Sequence, residues 1–371
     1  MQKKWFSLGL MSGTSGDGVD ASIIRTNGVN YYESIKDKYF EYDSDIYKDI
    51  HNLKEKIQKM EHLESYHEEI SNLERKITIF HAEIVKEFNL DEKTIIGFHG
   101  QTIYHNPKEK ISKQLGNGKL LYQLTNKKLV FDFRSEDILN GGQGAPLTPV
   151  FHHLLCQQNK IKLPVCFLNI GGISNITIIN DIENLSNLTS KDIGPGNCLI
   201  DNWVRKNSNK KFDKDGLLAS AGIKNDIILE QAQELYINRN NKKLSFDTND
   251  FDISFVRGLN LEDGAATLTD FTAAIIGEEL TLSLKNFREK INNVLICGGG
   301  RKNKILLKKI NDNLSPNIQL KLIDEYKING DFVESQAFAF LAIRSINNLP
   351  ISFPNTTGCN KPSSGGKLIE N

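Results

Sequence analysis

Apolar runs open the chain. Trp5 to Leu10 and Val19 to Arg25 flank a turn, and Tyr31 to Tyr42 continues as a third extended stretch; apolar runs bounded by a glycine turn predict strands. From Ser44 to Phe88 the period changes. Ile46, Ile50, Leu53, Ile57, Leu63, Ile70, Leu73, Ile77, Phe80 and Ile84 recur at three- and four-residue steps, which predicts amphipathic helices with their Lys/Glu-rich faces in solvent. Strand patterns return at Thr94 to Phe98, Leu120 to Leu124 and Lys128 to Phe131, and Pro146 is placed to begin a helix.

The second half repeats the opening of the first. Pro164 to Ile179 again spells strand, glycine turn, strand, and duplication is the natural inference. Helices are expected over Phe212 to Ala221, Asn225 to Leu235 and Asp263 to Asn286. Val294 to Cys297 reads as a buried strand running into three glycines, with Arg301-Lys302-Asn303 opening another helix. A strand near Ile318 to Leu322 and a helix over Phe332 to Ile346 follow. The Asn- and Lys-rich segments Lys206 to Asp215 and Ile237 to Asp252 are expected as exposed loops, and the tail from Pro354 to Asn371 as irregular.

At 371 residues the chain exceeds what one core usually organises, so two domains are expected, 1–150 and 151–371. Lys plus Arg equals Asp plus Glu at 46 each, which leaves no electrostatic footprint for nucleic acid or an anionic membrane. A protein handling a small molecule is favoured. No apolar run reaches the length of a membrane span, and Met1 to Ser7 leads straight into a glycine turn rather than a signal-peptide core; a cytoplasmic location is expected. Cys156, Cys166, Cys198, Cys297 and Cys359 are odd in number, widely spaced and mostly set in apolar runs, against both disulfides and a thiolate metal site. His152 and His153 are adjacent on an expected helix, so their side chains diverge and are read as structural or solvated.

Chemistry enters at the turns. Gly13-Thr14-Ser15-Gly16-Asp17-Gly18-Val19-Asp20 joins the first two strands. Glycines let backbone amides approach an anion, hydroxyls add donors, and a carboxylate can hold the divalent metal that travels with nucleotide phosphates. The segment therefore reads as a phosphate cradle, and equally as an ordinary tight hairpin, since glycine and aspartate dominate turns for steric reasons. Gly171-Gly172 repeats the pattern, and Gly298-Gly299-Gly300 after a late strand is a further nucleotide candidate. There is no GxxxxGK[ST] P-loop and no GxGxxG after a first strand. Two glycine hairpins and a late glycine run together resemble the layout of the actin, hexokinase and sugar-kinase superfamily.

Seven ordered segments sharpen that likeness. Gly9 to Ala21, Gly97 to Thr102, Asp132-Phe133-Arg134, Gly141 to Leu147, Asn169 to Asn175, Asp192 to Asn197 and Cys297 to Gly300 make the whole chain similar to the anhydro-N-acetylmuramic acid kinase family. Gly16 stands where that family usually has Leu, and Ile193 where it usually has Thr. The first change loosens a turn without removing a ligand, and the second deletes a hydroxyl beside Asp192.

The resemblance implies an α/β fold: a duplicated actin-like ATPase (ribonuclease H-like) of two domains with a nucleotide cleft between lobes. It implies ATP and Mg2+ as cofactors, a possible homodimer, and conversion of 1,6-anhydro-N-acetylmuramic acid to its ring-opened 6-phosphate in peptidoglycan recycling. By carry-over, Asp192 is the base that activates water. Its place before an expected helix start at Pro195 also favours an ionised carboxylate, although an aspartate there can be a plain turn or cap. Gly13 to Asp20, Gly171, Gly172, Gly298, Gly299 and Gly300 are assigned to ATP, with Asp17 or Asp20 toward magnesium. His99, Gln101, Arg134 and Glu334 are candidate sugar contacts. Three of them have an alternative: Arg134 can form an ion pair with Asp132, Glu136 or Asp137, His99 can be satisfied by backbone, and Glu334 suits any helix start. A different sugar kinase of the superfamily, or a nucleotide-gated binding module, would share the hairpins without needing a water-activating aspartate.

Overall fold

A computed structural model describes residues 3–240, 245–285, 287 and 290–370. In chain order the strands and helices are β1 Trp5–Ser12, β2 Gly18–Thr26, β3 Tyr32–Glu41, α1 Ser44–Lys56, α2 Glu61–Ser65, α3 His67–Glu87, β4 Ile95–Asn106, β5 Ile111–Leu115, α4 Gly118–Thr125, β6 Leu129–Phe131, α5 Ser135–Leu139 and α6 Pro149–Asn159. The second half continues with β7 Val165–Ile170, β8 Ile173–Ile179, β9 Thr189–Pro195, α7 Cys198–Asn207, α8 Leu217–Ala221, α9 Asp226–Asn240, α10 Leu261–Lys285, β10 Asn293–Cys297, α11 Lys304–Asp312, β11 Gln319–Leu322, α12 Val333–Ile346, α13 Pro354–Thr357 and β12 Lys367–Ile369.

Two sheets carry the duplication. One has the order β12-β6-β4-β1-β2-β3 with β5 added to β4, and the other β11-β10-β7-β8-β9. In each, an antiparallel hairpin comes first, β1–β2 or β7–β8, and the hairpin's first strand then pairs in parallel with the next, β1 with β4 and β7 with β10. A further parallel strand follows, β6 beside β4 and β11 beside β10. The shared order β3-β2-β1-β4-β6 and β9-β8-β7-β10-β11 is the structural counterpart of the repeated strand, glycine turn and strand.

The compact units do not divide at residue 150. One comprises residues 1–162, 181–189 and 331–371, the other 163–180 and 190–330. Helix α6 stays with the first because Phe151 packs edge-on to Tyr32 at 5.0 Å and against Phe340 at 5.7 Å. Helix α12 returns to the first because β1 and β4 are shaped for it. Gly9 and Gly97 face each other in the sheet, and a Cβ on either would fall 1.8 Å from Ser335 O or 2.3 Å from Phe338 O. Only glycine lets the helix backbone come this close. Ser7 Oγ donates to Ala339 O at 2.8 Å, and the Ser22 and Ser335 hydroxyls meet at 2.7 Å.

The first unit's core joins Leu8, Leu10 and Val19 of its hairpin to Ile46, Ile50 and Leu53 of α1 and Ile70, Leu73 and Ile77 of α3, the stripe expected from the helical period. The second unit's core joins Leu168, Ile170, Ile176 and Ile178 to Ile276 and Leu280 of α10 and Leu306 and Ile310 of α11.

Several elements differ from expectation. Leu120 to Leu124 lies in helix α4, started by Asn117, whose side chain accepts from Leu120 N at 3.0 Å. Helix α6 begins at Pro149 rather than Pro146. Within Phe212 to Ala221 only Leu217–Ala221 is α-helical; Gly216, at φ 76°, turns the chain into it, and buried Asp213 accepts from Leu218 N and Ala219 N. Strand β4 runs on to Asn106 and pairs with β5, which the pattern did not indicate. The tail is not wholly irregular, since β12 pairs antiparallel with β6. Of the expected loop Ile237 to Asp252, residues up to Asn240 belong to α9, residues 241–244 lie outside the described residues, and Ser245 and Phe246 are buried. Asn286, the expected end of α10, also lies outside them. All five cysteines are free, and no described helix is long and apolar enough to cross a membrane.

Candidate active site

In the first unit the β1–β2 turn is held from three directions. Gly16 N donates to Gly13 O at 3.1 Å to close it, and Gly16 takes the left-handed conformation, φ 63°. Gln101, fully buried on β4, donates from Nε2 to Gly13 O at 2.9 Å, while its Oε1 lies 2.6 Å from Ser12 Oγ. Ser12 Oγ is also 2.9 Å from Gly18 O and accepts from the Tyr42 hydroxyl at 3.0 Å. From α1, Lys54 Nζ donates to Thr14 O at 2.7 Å. With these carbonyls drawn toward the protein, the turn is fixed before any ligand arrives.

The glycines here separate into two kinds. A Cβ on Gly18 would strike Phe40 O at 2.3 Å, so that glycine serves sheet packing. A Cβ on Gly13 would meet nothing nearer than Ser15 Oγ at 3.8 Å. Gly13 therefore presents open backbone, as a phosphate approach requires. Asp17 accepts from Ser15 Oγ at 2.5 Å, and Asp20 on β2 stands opposite Tyr39 in the sheet. The Tyr39 hydroxyl is pushed upward in pKa by burial first, then by Asp17, Glu41 and Asp20. Carboxylate and hydroxyl oxygens are the donors magnesium takes, usually one or two beside phosphate and water. Asp17 and Asp20 fit that demand, and among the described residues there is no group of three or more His, Cys, Asp or Glu forming a protein-only metal cage.

His99 sits where the β1–β4 register slips, since Leu10 pairs with Phe98 and Met11 with Gly100. A bulge of this kind re-aims one side chain. The ring's Nδ1 donates to Gly100 O at 2.7 Å, leaving Nε2 to accept from Arg134 Nε at 3.1 Å and Nη2 at 2.9 Å. Burial, with Arg134 second, holds the imidazole well below its usual pKa, so it is neutral. Arg134 also donates from Nη1 to Gly144 O at 2.7 Å, and Asp137 accepts from Gly144 N at 2.7 Å. Arg134 is thus joined to a histidine and a backbone carbonyl, whereas Asp132 pairs with Lys367 at 2.6 Å. Glu334 lies partly exposed in the first turn of α12.

In the second unit the Gly171-Gly172 turn is clamped by the segment before α7. Gly196 N donates to Gly172 O and Asn197 N to Gly171 O, both at 2.8 Å, and a Cβ on Gly196 would fall 2.3 Å from Gly171 O. Asp192, mostly buried on β9, accepts from Phe246 N at 2.8 Å. The helix after it begins at Cys198, not at Pro195. Asp192 therefore does not stand immediately before a helix start, and the donor shown at its carboxylate is the peptide N–H of Phe246.

Gly298, at φ 81°, and Gly300 bring the late glycine run against β7, where a Cβ would meet Asn169 Oδ1 at 2.4 Å or Ile170 Cγ2 at 2.2 Å. A Cβ on Gly299 would meet nothing within 4 Å. Arg301 braces this run through Asp324, with Nε to Oδ2 at 2.9 Å and Nη2 to Oδ1 at 3.1 Å.

A family model described as anhydro-N-acetylmuramic acid kinase matches residues 5–371. The chain belongs to that family. A protein of Pelagibacter ubique named anhydro-N-acetylmuramic acid kinase is 54% identical, with 100% of both chains covered. One of the same name from Zymomonas mobilis is 39% identical, covering 98% of this chain and 99% of that one. Among solved structures, a hexokinase from Schistosoma mansoni complexed with glucose is 10% identical, covering 91% and 85% of the two chains at a TM-score of 0.41.

Ser12, Tyr42, Lys54, Phe246 and Asp324 were not among the candidates. Lys54 and Phe246 reach Thr14 and Asp192 from elsewhere in the sequence, Ser12 bonds Gln101 and Gly18, and Tyr42 and Asp324 act one step removed, through Ser12 and Arg301.

Proposed function

We propose that this member of the family is an ATP-dependent kinase that opens 1,6-anhydro-N-acetylmuramic acid with water and phosphorylates the freed O6, giving N-acetylmuramic acid 6-phosphate and ADP. The single observation that carries the reading is the match of the whole chain to this family with Asp192 held as a buried, N–H-bonded carboxylate. In the reaction, Asp192 takes a proton from water as its oxygen bonds the anomeric carbon. The bond from that carbon to O6 breaks, O6 bonds the γ-phosphorus, and ADP leaves. An inverting glycoside hydrolase needs both a base and an acid. Phosphoryl transfer to O6 does the acid's work here, so one carboxylate suffices.

The β1–β2 turn supports the phosphates through Gly13 to Asp20, with Gly171, Gly172 and Gly298 to Gly300 assigned to the nucleotide from the second unit. Magnesium, held toward Asp17 or Asp20, neutralises charge on the transferring group when bound. Arg134, oriented by its bonds to His99 Nε2, and Glu334 are assigned to the sugar side, with His99 behind Arg134. We place the protein in the cytoplasm, as a homodimer, in the recycling of peptidoglycan fragments.

The test incubates protein, Mg2+, ATP and the anhydro sugar, and follows the ring-opened 6-phosphate by mass spectrometry. Wild type should form it, and Asp192→Asn should lose kcat by on the order of a hundredfold or more, the scale of a general base. Turnover of Asp192→Asn at the wild-type rate, with its fold intact, would remove the assignment. ATP consumption with free-hydroxyl sugars but not with the anhydro sugar would point to a different kinase.

A further inference from the structure

Phe246 comes 54 positions after Asp192, in a stretch whose composition reads as loop, yet its peptide N–H lies 2.8 Å from Asp192 Oδ2. Its side chain and the turn that follows it are both anchored. The Phe246 ring packs on Phe251 at 5.3 Å; Phe251 stacks on Tyr236 at 6.2 Å and 17°, and Tyr236 meets Phe271 edge-on at 5.9 Å. Directly after Phe246, Asp247 N donates to Asp250 Oδ2 at 2.8 Å and Asn249 N to Asp247 Oδ1 at 2.9 Å, forming a closed turn. Displacing Phe246 would unpack the aromatic layer or break the turn.

We infer that the Phe246 peptide N–H is a positioning group for the reaction, fixing the orientation of the Asp192 carboxylate, with the Phe246 and Phe251 rings as its mount. The inference rests on Asp192 being the base. A carboxylate on one single bond rotates freely in water, and a misplacement of an ångström at a reacting group is enough to cost much of the rate. A peptide donor suits the task because, unlike a side chain, it has no rotamers of its own and stays a donor at every working pH.

Replacing Phe246 by phenyllactic acid turns that one amide into an ester, which keeps the ring and removes the N–H. Its kcat with the anhydro sugar should fall by roughly tenfold to a hundredfold, the range for a hydrogen bond to a charged group, with the KM for ATP unchanged. Phe246→Leu keeps the N–H and an apolar side chain and should stay within about threefold of wild type, while Phe246→Ala, which undermines the mount, should fall between the two. Wild-type kcat in the ester variant, alongside an inactive Asp192→Asn, overturns the positioning role and leaves the base in place. An active Asp192→Asn removes the base and the inference with it. A rise in the KM for ATP parallel to the loss of kcat, or an equal loss in Phe246→Leu, makes the segment merely structural and also overturns the inference.

Discussion

At the scale of single residues, Gln101 is a candidate sugar contact by family likeness that the fold sets against the β1–β2 turn. Its amide is fully buried, with Nε2 on Gly13 O and Oε1 beside Ser12 Oγ. This supports a role in shaping the phosphate turn. Gln101→Leu leaves a buried carbonyl and a hydroxyl without this partner, so it should lower stability by about 1–3 kcal/mol. ATP affinity should weaken even with no sugar present. Denaturant unfolding and nucleotide titration check the two effects, and loss of sugar affinity with ATP binding unchanged would return Gln101 to the sugar side. The two family departures also belong at this scale. Gly16 occupies a left-handed position that suits glycine, and Ile193 is buried in the second unit's core, so each is accommodated where it stands.

At the scale of elements, glycines of one motif divide by what lies above them. Gly9 and Gly13 are four residues apart, yet a Cβ on Gly9 would be 1.8 Å from the backbone of α12, and one on Gly13 would stand in the open. Gly9→Ala must lift α12 off β1 and should cost about 3 kcal/mol or more. Gly13→Ala should change stability by less than about 1 kcal/mol while raising the KM for ATP, because the methyl intrudes where phosphate is expected. Thermal unfolding beside ATP kinetics separates the pair; equal destabilisation of both would end the distinction. The same comparison explains what was legible beforehand. Strands β1, β2, β7 and β10 and helices α1, α3, α10 and α12 have apolar patterns strong enough to read directly. Helix α4 was misread because Leu120 to Leu124 is short and apolar, and the Asn117 cap that decides its form lies outside the run. The true start of α7 escaped notice because Pro195 resembles a first-turn proline, but it ends β9 instead. Buried Ser245 and Phe246 were hidden in a polar segment, since Asp192, to which Phe246 N donates, is far away in sequence.

At the scale of the whole molecule, the first unit carries five histidines that burial holds below their ordinary pKa, His81, His99, His105, His152 and His153. His81 is pressed between helix α3 and Phe98, whose ring is 4.9 Å away, and burial lowers it to about 4. His152 on α6 is lowered to about 3 by burial, and His99 well below its ordinary value by burial and Arg134. Unfolded, each would take its proton near pH 6.5. As pH falls through that value the unfolded chain binds protons the folded one refuses, so the stability these groups permit is complete above about pH 6.5 and declines below it. Each group fully protonated only in the unfolded state contributes about 1.4 kcal/mol per pH unit, and the five together up to about 7. The decline should therefore begin between pH 6.5 and 5, before carboxylates titrate. Urea unfolding across that window measures the slope, and His81→Leu should remove about 1.4 kcal/mol per pH unit of it. His81 is the suitable choice because its Nδ1 bonds only within its own helix, to Ile77 O at 2.7 Å, and its buried Nε2 has no hydrogen-bond partner among the described residues. Replacing it relieves an unsatisfied polar atom as well as a latent charge, so the variant should equal or exceed wild type in stability at pH 5 while the two differ less at pH 7.5. An unchanged slope in His81→Leu would mean that the ring takes its proton in the folded state, which only an opening of the α3 packing around it could allow.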